Sequence, residues 1–236
     1  MYVKILYDNK AKRGLVSGHG FSCLVGGKIL FDTGEASASL LENMHRLVVD
    51  PEQLEGVVIS HDHWDHTGGL WEILKNRKGL KVYVCPSSGD ILKDCIRELG
   101  GDLVEVAEPL EVAKGIYVTG EIMGKYKDER IAEQALVVKG EKGTSVITGC
   151  AHPGIVRVLK HIERIMGLKD PYMLMGGFHL RDMDREGIGR VIADIRDLGV
   201  VKTAPSHCSG DRAMRMFSGR FPGGFVPVRA GQIIQL

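Results

Sequence analysis

The chain has 236 residues, and its 31 Lys and Arg nearly cancel its 30 Asp and Glu, which leaves a formal net charge of +1. This length suffices to bury a large core and falls within the size of one layered domain, so we predict a single domain over residues 1–236. The balanced charge argues against nucleic-acid binding and against an acidic disordered tail.

The N-terminal residues and the cysteines both indicate the cellular compartment of the protein. The first residues alternate like a short strand and lack the apolar core of a signal peptide, and no run approaches the roughly 18 apolar residues of a membrane span. The five cysteines are an odd number without a C-x-x-C pair, which argues against a secreted disulfide framework and a structural zinc knuckle. We predict a cytoplasmic protein with no membrane partner, and the sequence leaves its oligomeric state open.

In chain order, the apolar patterns predict strands interspersed with amphipathic helices. The strands are Val3 to Tyr7, Phe21 to Val25, Ile29 to Phe31, Gly56 to Ile59, Leu80 to Cys85, Leu103 to Val106, Ile116 to Thr119, Ala135 to Lys139, Ser145 to Thr148, Pro171 to Met175 and Val200 to Ala204. The segment Phe225 to Ile234 supplies the closing strands. The helices run from Ala36 to Val49, onward from an N-cap at Thr67, from Ser88 to Leu99, from Pro153 to Met166, and from Asp184 to Gly199. This order implies an α/β protein in which two sheets pack face to face with helices outside.

One loop concentrates potential metal ligands. His61, His63, Asp65 and His66 fall within six residues, between a buried strand and a helix. Residues two apart in an extended chain point to the same side, so His61 and His63 can face one point, and Asp65 and His66 can face a second point nearby. Imidazoles and carboxylates are ligands for zinc, iron or manganese. The carboxyl end of a strand is also where sites on layered folds usually form.

Further ligands must come from elsewhere, because catalytic zinc has about three protein ligands and an open position. His152 and His207 each follow a short strand, in a loop containing Gly, Pro and Cys. We predict both as ligands, and the alternative for each is a structural histidine bonded to a loop carbonyl. His45 and His161 lie inside amphipathic helices, and we predict that neither binds metal.

Three other residues near these loops have open roles. His179 follows two glycines, which allow close backbone approach, so it contacts the metal or the substrate or has a structural role. His19 lies in an upstream loop that can cover the site, and we predict a substrate contact. Cys208 adjoins His207, and we predict that it packs, because adjacent side chains on an extended loop diverge.

These motifs resemble those of the metallo-β-lactamase superfamily. The run His61-x-His63-x-Asp65-His66 is similar to its signature, and Phe31 to Gly34 resembles its first motif. The closer resemblance is to a dihydropterin–ribofuranosylaminobenzene 5'-phosphate synthase-like branch, through the segments Gly18 to Ser22, Thr148 to Ile155, Gly176 to Leu180 and Pro205 to Gly210. The resemblance implies a four-layer αβ/βα metallo-β-lactamase sandwich, with two mixed sheets face to face and helices outside.

The resemblance also implies roles for single residues. Asp32 would be a buried acceptor that steadies the metal-binding loop, whereas the residues alone also allow a local turn acceptor. Cys150 stands where the family usually has an aspartate that bridges two metals, so it either bridges as a thiolate or packs while His152 binds. The usual histidine of the preceding loop falls near Glu133 and Gln134, where none is present. We expect one divalent ion or an asymmetric pair, zinc first, with iron, manganese or magnesium as alternatives.

Two reactions fit such a centre. In the first, the metal lowers the pKa of bound water towards ~7 and the hydroxide attacks an ester, amide or phosphoester, with Asp65 as the catalytic residue that orients or deprotonates the water. In the second, which the resemblance implies, an arylamine of a ribofuranosylaminobenzene phosphate attacks a dihydropterin methyl diphosphate and pyrophosphate leaves. We predict a metal-dependent enzyme with a small, phosphorylated substrate: a transferase first, a hydrolase as the alternative, and a non-catalytic small-ligand binder third.

Overall fold

The computed structural model describes residues 1–236. Its strands are β1 (Tyr2–Tyr7), β2 (Ser22–Val25), β3 (Ile29–Phe31), β4 (Gly56–Val58), β5 (Lys81–Val84), β6 (Asp102–Glu105), β7 (Leu110–Ala113), β8 (Ile116–Val118), β9 (Ile122–Tyr126), β10 (Glu129–Glu133), β11 (Leu136–Gly140), β12 (Gly143–Thr148), β13 (Met173–Gly177), β14 (Lys202–Ser206) and β15 (Ile233–Gln235). Its helices are α1 (Ser37–Arg46), α2 (Trp64–Thr67), α3 (Leu70–Asn76), α4 (Asp90–Glu98), α5 (Ile155–Met166), α6 (Arg185–Asp197) and α7 (Gly210–Arg220), with 3₁₀ turns at Pro51–Gln53 and His207–Ser209. None of the helices has the length and apolar character that crossing a bilayer requires.

The strands form two mixed sheets and a separate hairpin. Seven strands are ordered β15-β1-β2-β3-β4-β5-β6, antiparallel from β15 to β3 and parallel from β3 to β6. Six strands are ordered β14-β13-β12-β11-β8-β7, parallel from β14 to β12 and antiparallel beyond. The strands β9 and β10 pair with each other as a two-stranded ribbon.

Three hydrophobic clusters hold four layers together. The central cluster joins the inner faces of the two sheets, with Phe31 and Val58 from one sheet and Ile147 and Met175 from the other. The second cluster joins the six-stranded sheet to α5, α6 and α7, and the third joins the seven-stranded sheet to α1, α3 and α4. Burial of each large apolar side chain in these clusters contributes roughly 1.5–3 kcal/mol. The predicted αβ/βα sandwich is therefore confirmed.

The sandwich positions several polar loops at one edge. Parallel strands run in the same direction, so the loops that follow neighbouring strands leave the sheet at the same end. The loops after β3, β4, β12, β13 and β14 carry, respectively, Asp32, the segment 60–66, the segment 149–154, His179 and His207. The loops of the two sheets meet at this edge. Gly149, after β12, lies so close to Asp32, after β3, that a Cβ at Gly149 would be only 2.8 Å from Asp32 Oδ2.

Two sequence predictions about element ends are wrong. Thr67 does not cap the helix that follows it, because it lies inside α2, where its hydroxyl donates to the His63 carbonyl at 3.2 Å. The separate helix α3 begins only at Leu70, after two glycines. The closing strands predicted over Phe225 to Ile234 are reduced to β15 and to isolated bridges at Phe225 and Ala230, because Pro227 lacks an N–H and the chain turns at Gly231 with φ +86°.

No apolar pattern in the sequence predicts β7, the β9–β10 hairpin or α7. The outer ends of β9 and β10 are exposed and rich in charged residues, so apolar alternation is lost there. The helix α7 buries only Ala213 and Phe217, a stripe too short to indicate a helix by periodicity.

Candidate metal centre

The edge loops bring all of the predicted site residues into one cluster. Four groups of three side chains have their donor atoms within 4.8 Å of one another: His61 with Cys150 and His152, His66 with Cys150 and His207, Cys150 with His179 and Cys208, and His19 with Asp65 and His207. His63 lies beside them, with its ring 4.7 Å from that of His61 and 4.9 Å from that of His152. His45 and His161 lie in helices outside the cluster.

Asp32 orients the rings of two histidines, His66 directly and His61 through the Ser60 hydroxyl. Its Oδ2 accepts hydrogen bonds from His66 Nδ1 and from the Ser60 hydroxyl, both at 2.7 Å, and its Oδ1 accepts from the Ser60 N–H at 2.7 Å. Because the Ser60 proton points to Asp32, the Ser60 oxygen accepts from His61 Nδ1 at 2.8 Å. Both imidazoles therefore present Nε2 to the cluster, as they do when a metal is the partner.

His61 and His66 have opposite pKa shifts, because the Asp32 carboxylate contacts only His66 directly. Burial and the neighbouring imidazoles lower the pKa of His61 well below its usual range, which keeps it in the neutral form that metals bind. Burial has the same tendency at His66, but the Asp32 carboxylate outweighs it and raises the pKa of His66 to about 9. A metal ion at His66 has to displace this proton.

Glu133 holds the loop that carries Cys150 and His152. Its Oε1 accepts from the N–H groups of Cys150 at 2.8 Å and Ala151 at 2.7 Å, and its Oε2 accepts from the N–H of His152 at 2.8 Å and from its Nδ1 at 3.0 Å. Burial opposes ionisation of Glu133, but these donors outweigh it and lower its pKa. Since Nδ1 of His152 is a donor to this carboxylate, its Nε2 is free to face the cluster.

Asp65 lies between two further histidines. Its Oδ2 is 3.1 Å from His207 Nε2 and 3.2 Å from His19 Nε2. Burial favours protonation of Asp65, but the hydrogen bond from His207 and the adjacent imidazoles hold its pKa well below its usual range. The Nδ1 of His207 lies 2.9 Å from Asn9 Oδ1 and 3.2 Å from the Gly20 nitrogen.

Cys150 lies at the middle of the cluster. Its Sγ is 3.3 Å from His66 Nε2, and it belongs to three of the four donor groups. Cys208 packs beneath it, with its thiol donating to the Cys150 carbonyl at 3.6 Å, and Cys208 also borders the cavity above the cluster. His179 is exposed, and its ring lies 4.6 Å from that of His152.

The backbone is strained at this edge. Asp32, Ala151, His179 and His207 have φ between +48° and +59°, a region that non-glycine residues rarely adopt. Such residues cost roughly 1–3 kcal/mol each and cluster at functional sites, where the surrounding structure enforces them. Here the strain turns the donor atoms of separate loops towards one another.

An open cavity of about 520 Å³ lies above the cluster. It is lined by His19, His63, Trp64, Asp65, Tyr126, Lys127, Cys150, His152, His179, Arg181, Asp182, His207 and Cys208. The cations of Lys127 and Arg181 and the exposed rings of Trp64 and Tyr126 therefore border the same space as the histidines. A small molecule with an anionic part and an aromatic part fits these surroundings.

The donor atoms fit a divalent metal ion. Nε2 of His61 is buried without a hydrogen-bond partner, and buried polar atoms without partners are rare unless an ion or a water satisfies them. Imidazole, thiolate and carboxylate donors are the set that transition metals prefer in proteins.

Several positioning groups are absent from the sequence predictions. In the sequence, Glu133 is notable only because the family usually has a histidine near this position. Ser60 and Asn9 belong to no motif that predicts their contacts. Lys127 and Arg181 are dispersed basic residues in a neutral chain. Their roles depend on contacts between loops far apart in the chain, for which the sequence holds no local signal.

Comparison with known proteins agrees with this architecture. A family model for the metallo-β-lactamase superfamily matches residues 19–159. Among curated proteins, the 7,8-dihydropterin-6-methyl-4-(beta-D-ribofuranosyl)-aminobenzene-5'-phosphate synthase of Methanocaldococcus jannaschii is 34% identical over 265 positions, which cover 93% of this chain and 90% of the relative.

Two solved structures illustrate the likeness in three dimensions. A metal-dependent hydrolase of the β-lactamase superfamily matches with a TM-score of 0.83 and 29% identity, over 100% of this chain and 99% of the other. The metallo-β-lactamase fold protein YhfI from Bacillus subtilis matches with a TM-score of 0.72 and 14% identity, over 99% and 98% of the two chains, and shows the fold alone. This chain therefore belongs to the metallo-β-lactamase superfamily and is one of its metal-dependent enzymes.

Proposed function

We propose that the chain is a transferase that joins an arylamine to a small substrate carrying a diphosphate leaving group. The proposal takes its substrates from the synthase of M. jannaschii, to which the chain is similar over nearly its whole length. The observation that carries it is the cavity, in which Lys127 and Arg181 border the same space as the cluster of metal-binding side chains. A phosphorylated substrate suits these cations.

The donor groups would support two ions, and Cys150 belongs to both groups. One group, His61, Cys150 and His152, extends to His63, and the other, His66, Cys150 and His207, extends to Asp65. Each ion would then have three further protein donors, which leaves room for a substrate. The nitrogen and sulfur donors favour zinc, with iron or manganese as alternatives, whereas magnesium prefers an all-oxygen set.

Divalent ions held there would supply positive charge that neutralises the phosphate oxygens of the leaving group. Lys127 and Arg181 would add charge from the open side, with the guanidinium able to bind two phosphate oxygens at once. The rings of Trp64 and Tyr126 offer faces on which a flat heterocycle can stack. These groups orient the substrate so that its methylene carbon is open to attack.

His19 is suited to accept the proton of the arylamine. Burial and the neighbouring His207 lower the pKa of His19, so its imidazole is neutral near pH 7. As the C–N bond forms and the C–O bond to diphosphate breaks, the nitrogen loses a proton to His19. Asp65, 3.2 Å from His19 Nε2, stabilises the resulting cation.

The experiment is to measure pyrophosphate release by the metal-loaded protein with both substrates and with each one alone. We expect release only when the dihydropterin methyl diphosphate and the arylamine phosphate are both present. Replacing Lys127 or Arg181 with Gln should raise KM about tenfold or more, because a hydrogen bond to a charged group contributes roughly 1.5–3 kcal/mol. Lys125→Gln, on the same hairpin but outside the cavity, is the matched control.

A hydrolase is the second candidate. It is favoured by the 29% identical relative, which is itself a metal-dependent hydrolase, and by the open cavity, which admits water. Release of phosphate or pyrophosphate from the diphosphate substrate without the arylamine would select this reaction and reject the transferase. No turnover of any of these substrates by fully metal-loaded protein would leave a small-ligand binder.

A further inference from the structure

A second depression, away from the metal centre, is lined almost entirely by arginines. This arginine hollow consists of Arg185, Arg212, Arg215, Met216, Gly219 and Arg220, and its volume is about 480 Å³. It shares no residue with the cavity above the metal centre, and nothing in the proposed reaction uses it.

The fold fixes the position of these arginines. On α7, Arg212, Arg215 and Arg220 are spaced at i, i+3 and i+8, so they lie on one face. The opposite face packs into the core through Ala213 and Phe217. Arg185 is the first residue of α6, which packs against α7. Two packed helices thus place four exposed arginines around one depression.

No carboxylate forms an ion pair with the arginines of the hollow. None of its four arginines has an acidic side chain within 4.0 Å, and Arg212 donates only to the Met183 carbonyl at 3.1 Å. Glu186 pairs with Arg190 at 2.6 Å, and Asp184 caps α6 by accepting from the Gly187 N–H at 2.7 Å. Asp211 lies one helical turn before Arg215, but its ion pair, at 2.7 Å, is with Lys10, which is the main cause of its lowered pKa, with Arg215 a lesser one. Unbalanced like charges in one depression repel each other, and a bound anion removes this cost.

The hollow also has room for a ligand between the arginines. A Cβ built on Gly219 would meet no heavy atom within 4 Å, so the space above this position is open. Guanidinium groups bind phosphate through two parallel N–H···O bonds. A diphosphate offers oxygens on two phosphorus atoms and can therefore engage two arginines at once, which a single phosphate does less well.

We propose that the arginine hollow is a binding site for a diphosphate group, either as free pyrophosphate or as part of a diphosphate ester. The site is separate from the metal centre, and its occupancy does not depend on the reaction proposed above. Four arginines without acidic partners around one open space are the observation on which it rests.

The experiment is titration of the metal-loaded protein with inorganic pyrophosphate by isothermal calorimetry at fixed ionic strength. The variant Lys127→Gln/Arg181→Gln weakens binding at the catalytic cavity. Binding to the metal ions themselves is the same in all proteins that differ only in the hollow, so the difference between them reports the hollow. In this background we expect Arg212→Gln/Arg215→Gln to weaken pyrophosphate binding at least tenfold. Gly219→Glu, which places a carboxylate in the open space, should have an equal or larger effect, and Gly219→Ala should have none.

Competing ligands complete the test. A nucleoside diphosphate that displaces pyrophosphate indicates a diphosphate ester, whereas failure to displace it indicates the free ion, and both results support the site. Pyrophosphate binding that is unchanged by Arg212→Gln/Arg215→Gln and by Gly219→Glu would overturn the proposal. Equal binding of sulfate would reduce the hollow to a non-specific positive surface, and binding of duplex DNA that pyrophosphate cannot displace would assign it to a polyanion instead.

Discussion

Glu133→Gln is the substitution that tests most sharply how the metal-binding loop is held. The carboxylate accepts four hydrogen bonds, two on each oxygen, from the backbone of Cys150, Ala151 and His152 and from the His152 ring. Glutamine has almost the same shape but only one acceptor oxygen. With the NH₂ group towards Cys150 and Ala151, both of their N–H groups are buried without a partner. With it towards His152, the backbone N–H of His152 is left unpaired, and the ring keeps a bond only if Nδ1 becomes an acceptor and Nε2 carries the proton.

The expected cost follows from these unpaired donors. Each buried donor left unsatisfied costs about 1–3 kcal/mol, so the loss of one or two bonds should lower the free energy of unfolding by about 1–6 kcal/mol. A domain stable by about 10 kcal/mol, the middle of the usual range, still folds after such a loss. Metal affinity should fall about 10- to 100-fold, as it does when the partner of a metal-binding histidine is removed.

The assay is urea denaturation of metal-free protein together with a metal titration of the folded protein. Glu129→Gln, at the exposed start of the same strand, is the control and should change stability by no more than about 0.5 kcal/mol. If the free energy of unfolding of Glu133→Gln lay within 0.5 kcal/mol of that of the unmodified chain and metal affinity were unchanged, the hydrogen bonds of Glu133 would not stabilise this loop.

Three further substitutions test other contacts at the centre. Asp32→Asn leaves a side chain that cannot accept all three of its hydrogen bonds, so metal affinity measured with a chelator should fall about 10- to 100-fold; unchanged affinity would exclude Asp32 as the group that orients the histidines. Gly177→Ala places a Cβ against the Gly149 carbonyl and 2.6 Å from Cys208 Sγ, so it should cost about 1–3 kcal/mol or more in thermal or urea denaturation. Gly189→Ala on α6, where a Cβ meets nothing within 4 Å, should instead be neutral or stabilise by up to about 1 kcal/mol, and equal effects of the two would contradict the packing. Cys150→Ser should abolish the thiolate-to-cobalt charge-transfer absorption of the cobalt-substituted protein, whereas persistence of that band would assign the sulfur ligand to another cysteine.

The fold and the metal-binding histidines are predictable because each is marked by a local sequence pattern. The segment 61–66 sets four donors between a buried strand and a helix, and both flanking elements are apolar enough to be recognised from periodicity. The loops with His152 and His207 share that layout, and the observed parallel strands bring them to the same edge.

The residues that hold the metal-binding side chains in place act through contacts between distant parts of the chain. Glu133 ends a hairpin whose charged outer half conceals the strand pattern, and in the sequence it is one acidic residue among thirty. Asn9 contacts His207 from 198 positions away, and Ser60 matters only because Asp32 lies beneath it. The cap predicted at Thr67 fails for a similar reason, since the chain takes an additional helical turn there to direct Asp65 and His66 towards the other loops.

We propose that side chains from separate loops would hold two divalent ions, with Cys150 belonging to both donor groups. The measurement that tests it most directly is elemental analysis of the purified protein by inductively coupled plasma mass spectrometry, without added metal, alongside His63→Ala and His152→Ala. We predict two divalent transition-metal ions per chain and a loss of at least one ion in each variant. Protein without bound transition metal, or variants with an unchanged metal content, would contradict the assignment.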